Sequence, residues 1–143
     1  MKPLRNFNEF VKEGIVKKQS PDKSRVNSLK KESKKSYNFL IDIIKKIGIN
    51  NSNANNIIKN AYDIIMELIR AKMLLEGFNS SGLGAHEAEV AYLRILNFSE
   101  KEIQFANQLR YFRNGITYYG KSFDEEYARK VIKFLESIHK RLK

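Results

Sequence analysis

The stretch Leu109–Gly120, "LRYFRNGITYYG", gathers side chains that can do chemistry. Arg110 and Arg113 are three residues apart, one helical turn. Asn114 and Tyr118 are four apart, so on a helix they project from one face, with Arg113 on the flank. Tyr111, Phe112 and Tyr119 crowd the same stretch. Arginine grips phosphate through parallel N–H bonds, an amide or phenol hydrogen-bonds a sugar or base, and tyrosine stacks on a base. Gly115 costs ~1 kcal/mol inside a helix relative to alanine, a cost tolerated where backbone or ligand comes close. Arg110, Arg113, Asn114, Tyr118 and Tyr119 are therefore candidates for binding nucleic acid or nucleotide. A structural role accounts for the same residues. The aromatics fill a core, the arginines pair with acids on neighbouring helices, and Gly115 eases packing. The stretch alone leaves both readings open.

Other candidates point to bland roles. His86-Glu87 has no second histidine four residues on, so it is not a helical zinc motif. His86 suits a hydrogen bond near a helix start, where Glu87 and Glu89 match the positive end of the dipole. His139 falls in a basic last turn and is expected to be solvated. Asp63 and Glu67 are four apart and are expected to pair with Lys59 or Arg70. Gly77, Gly82 and Gly84 lack the lysine and hydroxyl residue that a phosphate loop needs.

These residues need helices to position them. Ser20-Pro21-Asp22 is a helix start, with Ser20 as cap and Pro21 in the first turn. Val26, Leu29, Ser33, Tyr37, Leu40, Ile44 and Ile47 then recur at spacings of three and four, and Lys23, Lys30, Lys31, Lys34 and Lys35 hold the opposite face. That lysine face either tracks phosphates or is simply solvated. Gly48 ends the helix. A second helix over about 53–76 carries a wide apolar stripe and stops at Gly77. A short helix over about 85–97 turns Ala88, Ala91 or Tyr92, and Ile95 inward. Ser99 and Glu102 form a capping box for a fourth helix ending near Gly120. Ser122 or Asp124 opens the last. No strand pattern and no repeat is visible. The expected fold is all-α: an antiparallel up-down bundle of four main helices plus a short one, over residues 20–143. Residues 1–19 are expected to form an N-terminal arm, with a short amphipathic piece around Phe7 and Phe10.

The chain has 143 residues, 42% of them hydrophobic, enough for one domain with a sizeable core. It has no cysteine, which excludes a disulfide scaffold, a thiolate zinc site, an iron–sulfur cluster and a cysteine nucleophile. With two histidines, no metal site and no cofactor are expected. There is neither a membrane-spanning run nor an apolar leader, so no membrane contact and a cytoplasmic location are expected. The net charge is +11, and +8 of it lies in residues 1–50. Such an excess favours polyanionic partners. Lysines outnumber arginines 19 to 8, a composition that also arises from solvated helix faces.

Arg113-Asn114-x-x-x-Tyr118, placed late in a helical bundle, resembles the signature of the HEPN superfamily (higher eukaryotes and prokaryotes nucleotide-binding domain). That signature is an arginine, a polar residue, and a histidine after four to six residues. "AYDIIMELIRAKMLLEGF" (61–78) is similar to the family's second helix, and "GAHEAEVAYL" (84–93) to the helix start after its flexible loop. "YYGKSFDEEYARKVIKFLESI" (118–138) resembles its closing stretch. The likeness covers about residues 22–142. The N-terminal arm and "GIVKKQSPDKSR" are also similar to an archaeal branch. Where active, this family implies metal-independent RNA cleavage, with the arginine stabilising phosphate charge and the histidine moving a proton. It also implies a homodimer, here expected through the fourth helix, and often a toxin-like pairing with a minimal nucleotidyltransferase-fold partner.

This chain departs at one position. Tyr118 stands where the family has histidine. A phenol titrates near ~10, against ~6.5 for imidazole, and is a poor general base at neutral pH. The expectation is a catalytically degenerate member that binds RNA or nucleotide at Arg113, Asn114 and Tyr118, with Arg110 assisting. Two alternatives are a ribonuclease that still uses Arg113 and a purely structural interaction module.

Overall fold

The structure, a computed structural model, describes residues 2–143. The helices are α1 (Phe7–Lys12), α2 (Lys23–Ile47), α3 (Ala54–Leu75), α4 (Ala85–Ile95), α5 (Glu100–Tyr119) and α6 (Glu125–Leu142). Two short strands, β1 (Val16–Lys18) and β2 (Phe78–Ser80), complete the chain. The all-α bundle expected from periodicity is present.

Helix α3 is the axis of the bundle. Thirteen of its 22 residues are buried, among them Ile58, Ala61, Tyr62, Ile65 and Ile69. The wide stripe is buried because α2, α4, α5 and α6 all pack on it. Both ends are tied. At one end, the Asn55 amide donates to Lys121 O at 2.9 Å, and its oxygen accepts from Phe123 N at 3.0 Å. Asn51 Oδ1 accepts from Glu125 N at 2.9 Å. The starts of α3 and α6 therefore sit together, beside the end of α5. At the other end, Arg141 donates to Glu102 at 3.1 Å, joining the end of α6 to the start of α5.

Local chemistry sets the helix ends. Ser99 and Glu102 form the expected reciprocal capping box, and Gly120 closes α5 in the left-handed region at φ +63°. Asp124 caps α6 by accepting from Tyr127 N at 2.9 Å. The start of α2 differs from expectation. Asp22, not Ser20, accepts from Arg25 N at 3.0 Å, so Ser20 and Pro21 lie before the helix. Ile47 and Ile95, expected inside, are exposed, because each lies at the last residue of its helix where the stripe has left the core.

The sheet is the main departure from the sequence reading. Strand β1 runs antiparallel to β2, with Val16 opposite Ser80 and Lys18 opposite Phe78. Gln19 N extends the ladder to Gly77 O at 2.8 Å. Gly77 is required there. Its φ is +83°, and a Cβ would collide with the Gln19 carbonyl oxygen.

The segment expected as an arm packs into the same core as the bundle. Leu4, Phe7, Phe10 and Val16 are buried in it. Phe7 meets Phe78 and Tyr92 edge-on, at centroid distances of 5.3 and 4.9 Å. Arg94 holds the backbone from outside, donating to Arg5 O at 3.0 Å.

Candidate nucleic-acid interface

Helix α5 buries Ile103, Ala106, Leu109 and Ile116 along one face. At 100° per residue, that face turns Tyr111 and Tyr118 outward. Tyr111, Tyr118 and Tyr119 are 57%, 70% and 79% exposed.

Asn114, Tyr118 and Tyr119 share an open recess of about 740 Å³ with Tyr111, Gly115 and Lys121. Gly115 is the wall over which Lys121 lies. A Cβ there would stand 3.2 Å from Lys121 Cγ, so the neighbour is a side chain rather than the backbone or ligand that the glycine suggested. A second open recess of about 980 Å³ adjoins it, lined by Lys2, Arg5, Glu87, Arg110 and Tyr111. Tyr111 belongs to both. The outer side of α5 thus carries two adjoining recesses that share Tyr111, with Arg110 in one and Lys121, just past the helix end, in the other.

The cations along this outer side, the α5 track, differ in availability. Arg5 is paired with Glu13 at 2.9 Å and Glu87 at 3.5 Å. Arg110 bonds only the amide oxygen of buried Asn107, through Nε at 3.1 Å and Nη2 at 2.9 Å. Among the described residues no carboxylate lies within ion-pair distance of Arg110 or Lys121. An arginine positioned by a neutral amide keeps its full charge for an incoming anion.

Arg113 stands apart from this grouping. It lines neither recess and turns toward α3. Its guanidinium carbon is 5.5 Å from the Tyr62 ring centroid, and its Nη2 is 4.0 Å from Asp63 Oδ1. Its Nε is buried without a partner. The reason is the helix period. Arg113 is 100° round from Asn114, and that rotation points it at the neighbouring helix.

Beside Tyr62 lies a charged cluster that sequence reasoning missed. Glu89 is 2% exposed yet ionic. Arg70 clasps it through Nε at 2.8 Å and Nη2 at 3.1 Å, and Ser80 Oγ donates at 2.8 Å. His86 Nδ1 is 3.4 Å away. Burial pushes the Glu89 carboxyl up, but the bonds from His86, Arg70 and Ser80 outweigh it, and its pKa lies below the ordinary value. Burial first, and the Glu89 charge second, push the Tyr62 phenol well up. The available sequence sign was a lone carboxylate inside the apolar run Ala88–Leu93.

The expected partner of Asp63 and Glu67 is also corrected. Arg70 is committed to Glu89, while Asp63 faces Arg113. His139, expected in solvent, is half-buried and stacks on Tyr37, with centroids 3.7 Å apart and planes within 1°.

No group of three or more metal-ligating side chains occurs among the described residues. No helix among them is long and apolar enough to cross a membrane. The chain matches no family model, no curated protein and no solved structure.

Proposed function

We propose that this protein is a HEPN-like helical domain that binds single-stranded RNA or nucleotide along the outer side of α5. The observation that carries the reading is the α5 track, where three exposed tyrosines lie between two cations without carboxylate partners, Arg110 and Lys121. Binding of single strands needs this combination. Cations follow the phosphates, and aromatic faces stack bases without regard to sequence. The net charge of +11 supports the same polyanionic ligand. Arg110, Tyr118, Tyr119 and Lys121 make the contacts in this reading, Asn114 supplies an amide to a base or sugar, and Arg113 braces the helix from behind. The homodimer and the minimal nucleotidyltransferase-fold partner belong to the proposal through the family resemblance.

The test is anisotropy with a fluorescent single-stranded RNA at several salt concentrations. Tyr118→Ala with Tyr119→Ala removes up to two stacking platforms, at about 1–3 kcal/mol each, and is expected to weaken binding at least fivefold. Arg110→Ala is expected to lower the salt slope by about 0.7, one phosphate contact. Unchanged affinity in the tyrosine variant would refute the track.

A second reading, metal-independent RNA cleavage, draws on one observation. His86 is half exposed, faces Glu89 at Nδ1, and lies beside the Tyr62 ring that Arg113 also touches. A histidine held by a buried carboxylate is a fit proton carrier. Cleavage in the presence of chelator that is lost in both His86→Ala and Arg113→Ala would establish it. No cleavage by the parent protein would leave binding alone.

A further inference from the structure

A second cationic concavity lies away from α5, between α2 and α6. Lys30 and Lys34 enter it from α2, His139 and Lys143 from α6 and the residue after it. Ser33 and Leu68, each 2% exposed, contribute the buried part of its lining. Its volume is about 440 Å³. Among the described residues no carboxylate lies within ion-pair distance of these three lysines.

This convergence differs from a solvated lysine face. On a convex helix, ammonium groups splay apart into water. Here they surround a recess together with an imidazole that stacks flat on Tyr37. The His139 ring is held below its ordinary pKa, by burial first and then by the charges of Lys143 and Lys34. On the Tyr37 side of the stack, burial first and then the charge of Glu136 raise the phenol. Like charges gathered in this way repel one another until an anion enters. Lysine, a compact charge on a flexible stem, accepts oxygens from many directions. Several such charges in a small recess suit a compact group carrying two or more negative charges.

We propose that the α2–α6 recess binds a terminal phosphate group, held by Lys30, Lys34, Lys143 and His139. Inorganic pyrophosphate and the 5′-phosphate of an RNA strand share this chemistry. The site is independent of the α5 track, which supplies none of its residues.

The full chain is titrated with inorganic pyrophosphate at constant ionic strength while the two histidine rings are followed by NMR. His139 is expected to shift saturably and His86 not to shift. Bound pyrophosphate is expected to raise the His139 titration midpoint, because the added negative charge favours imidazolium. Lys34→Gln is expected to weaken binding about tenfold, with Lys30→Gln similar. Lys121→Gln on α5 is expected to leave it unchanged, which keeps a failure here distinct from a failure of the α5 reading. Oligonucleotides with a 5′-phosphate or a 5′-hydroxyl identify the source. Discrimination between them assigns the RNA end, and response to pyrophosphate alone assigns a free ligand. Two results would overturn the proposal: a His139 response to sulfate as large as that to pyrophosphate, or full affinity in Lys34→Gln.

Discussion

Arg113 lies over Tyr62, its guanidinium carbon 5.5 Å from the ring centroid, on the side of α5 that faces α3. The contact joins the helix of the α5 track to the central helix. Three exposed or half-exposed groups, Arg113, Asp63 and His86, meet around one buried phenol ring.

Arg113→Ala is expected to act on stability more than on RNA affinity. Removing the guanidinium from the ring costs about 1 kcal/mol, or roughly 3–5 °C in Tm. Thermal melts and RNA anisotropy of Arg113→Ala beside Arg110→Ala check this. Arg110→Ala strips the buried Asn107 oxygen of its donors and is expected to lose stability as well, about 1–3 kcal/mol, so the two variants separate by RNA affinity, which only Arg110→Ala lowers.

Glu89→Gln is expected to destabilise by about 3 kcal/mol at neutral pH, because it leaves the Arg70 charge partly buried and unmatched. The pH dependence has a defined sign. The folded pKa of Glu89 lies below its unfolded value, so its contribution is complete above the ordinary carboxylate pKa of about 4.3. It is lost as pH falls through the folded pKa. The parent Tm is therefore expected to drop more steeply than that of Glu89→Gln below about pH 4.3. Melts over that range, in which the two curves stay parallel, would remove the assignment.

Glu67 behaves in the opposite way. Burial pushes its carboxyl up, Arg70 pulls it down, and Glu32 and Asp63 push it up again, for a net rise. Its Oε2 is buried without a partner. An acid with a raised folded pKa costs stability once ionised, and the cost disappears as pH falls below the unfolded pKa. Glu67→Gln is expected to be more stable than the parent at pH 7 and equal to it near pH 3. Denaturant titration at the two pH values measures the difference.

The helices were legible because their apolar residues repeat at three and four over many turns. The caps at Ser99 and Asp124 were legible because capping is local chemistry. The β1–β2 pair was not, because three residues per strand are too few for alternation to show. Its partners are 60 to 64 residues apart in sequence. The start of α2 was misplaced because Ser20 and Asp22 are both good caps, and the β ladder through Gln19 N holds the chain extended past Ser20. Asn114, Tyr118 and Tyr119 were grouped by spacing along one helix. The orientation of Arg113 and the clasp of Arg70 on Glu89 depend on which helix lies opposite, and a single helix does not encode that. The same holds for His139, whose neighbour Tyr37 belongs to a helix that ends long before α6 begins.

The placement of Phe7 against Phe78 and Tyr92 has a consequence for the order in which the chain completes itself. During synthesis Phe7 is made about 70 residues before Phe78, the earlier of its two partners. At 5–20 residues per second that is a wait of roughly 4–14 s. Through that interval Leu4, Phe7 and Phe10 have no surface to cover them, while α2 and α3 can already form their hairpin. The opening segment is then laid onto a partly assembled body only once β2 and α4 have emerged, with α5 and α6 still to come.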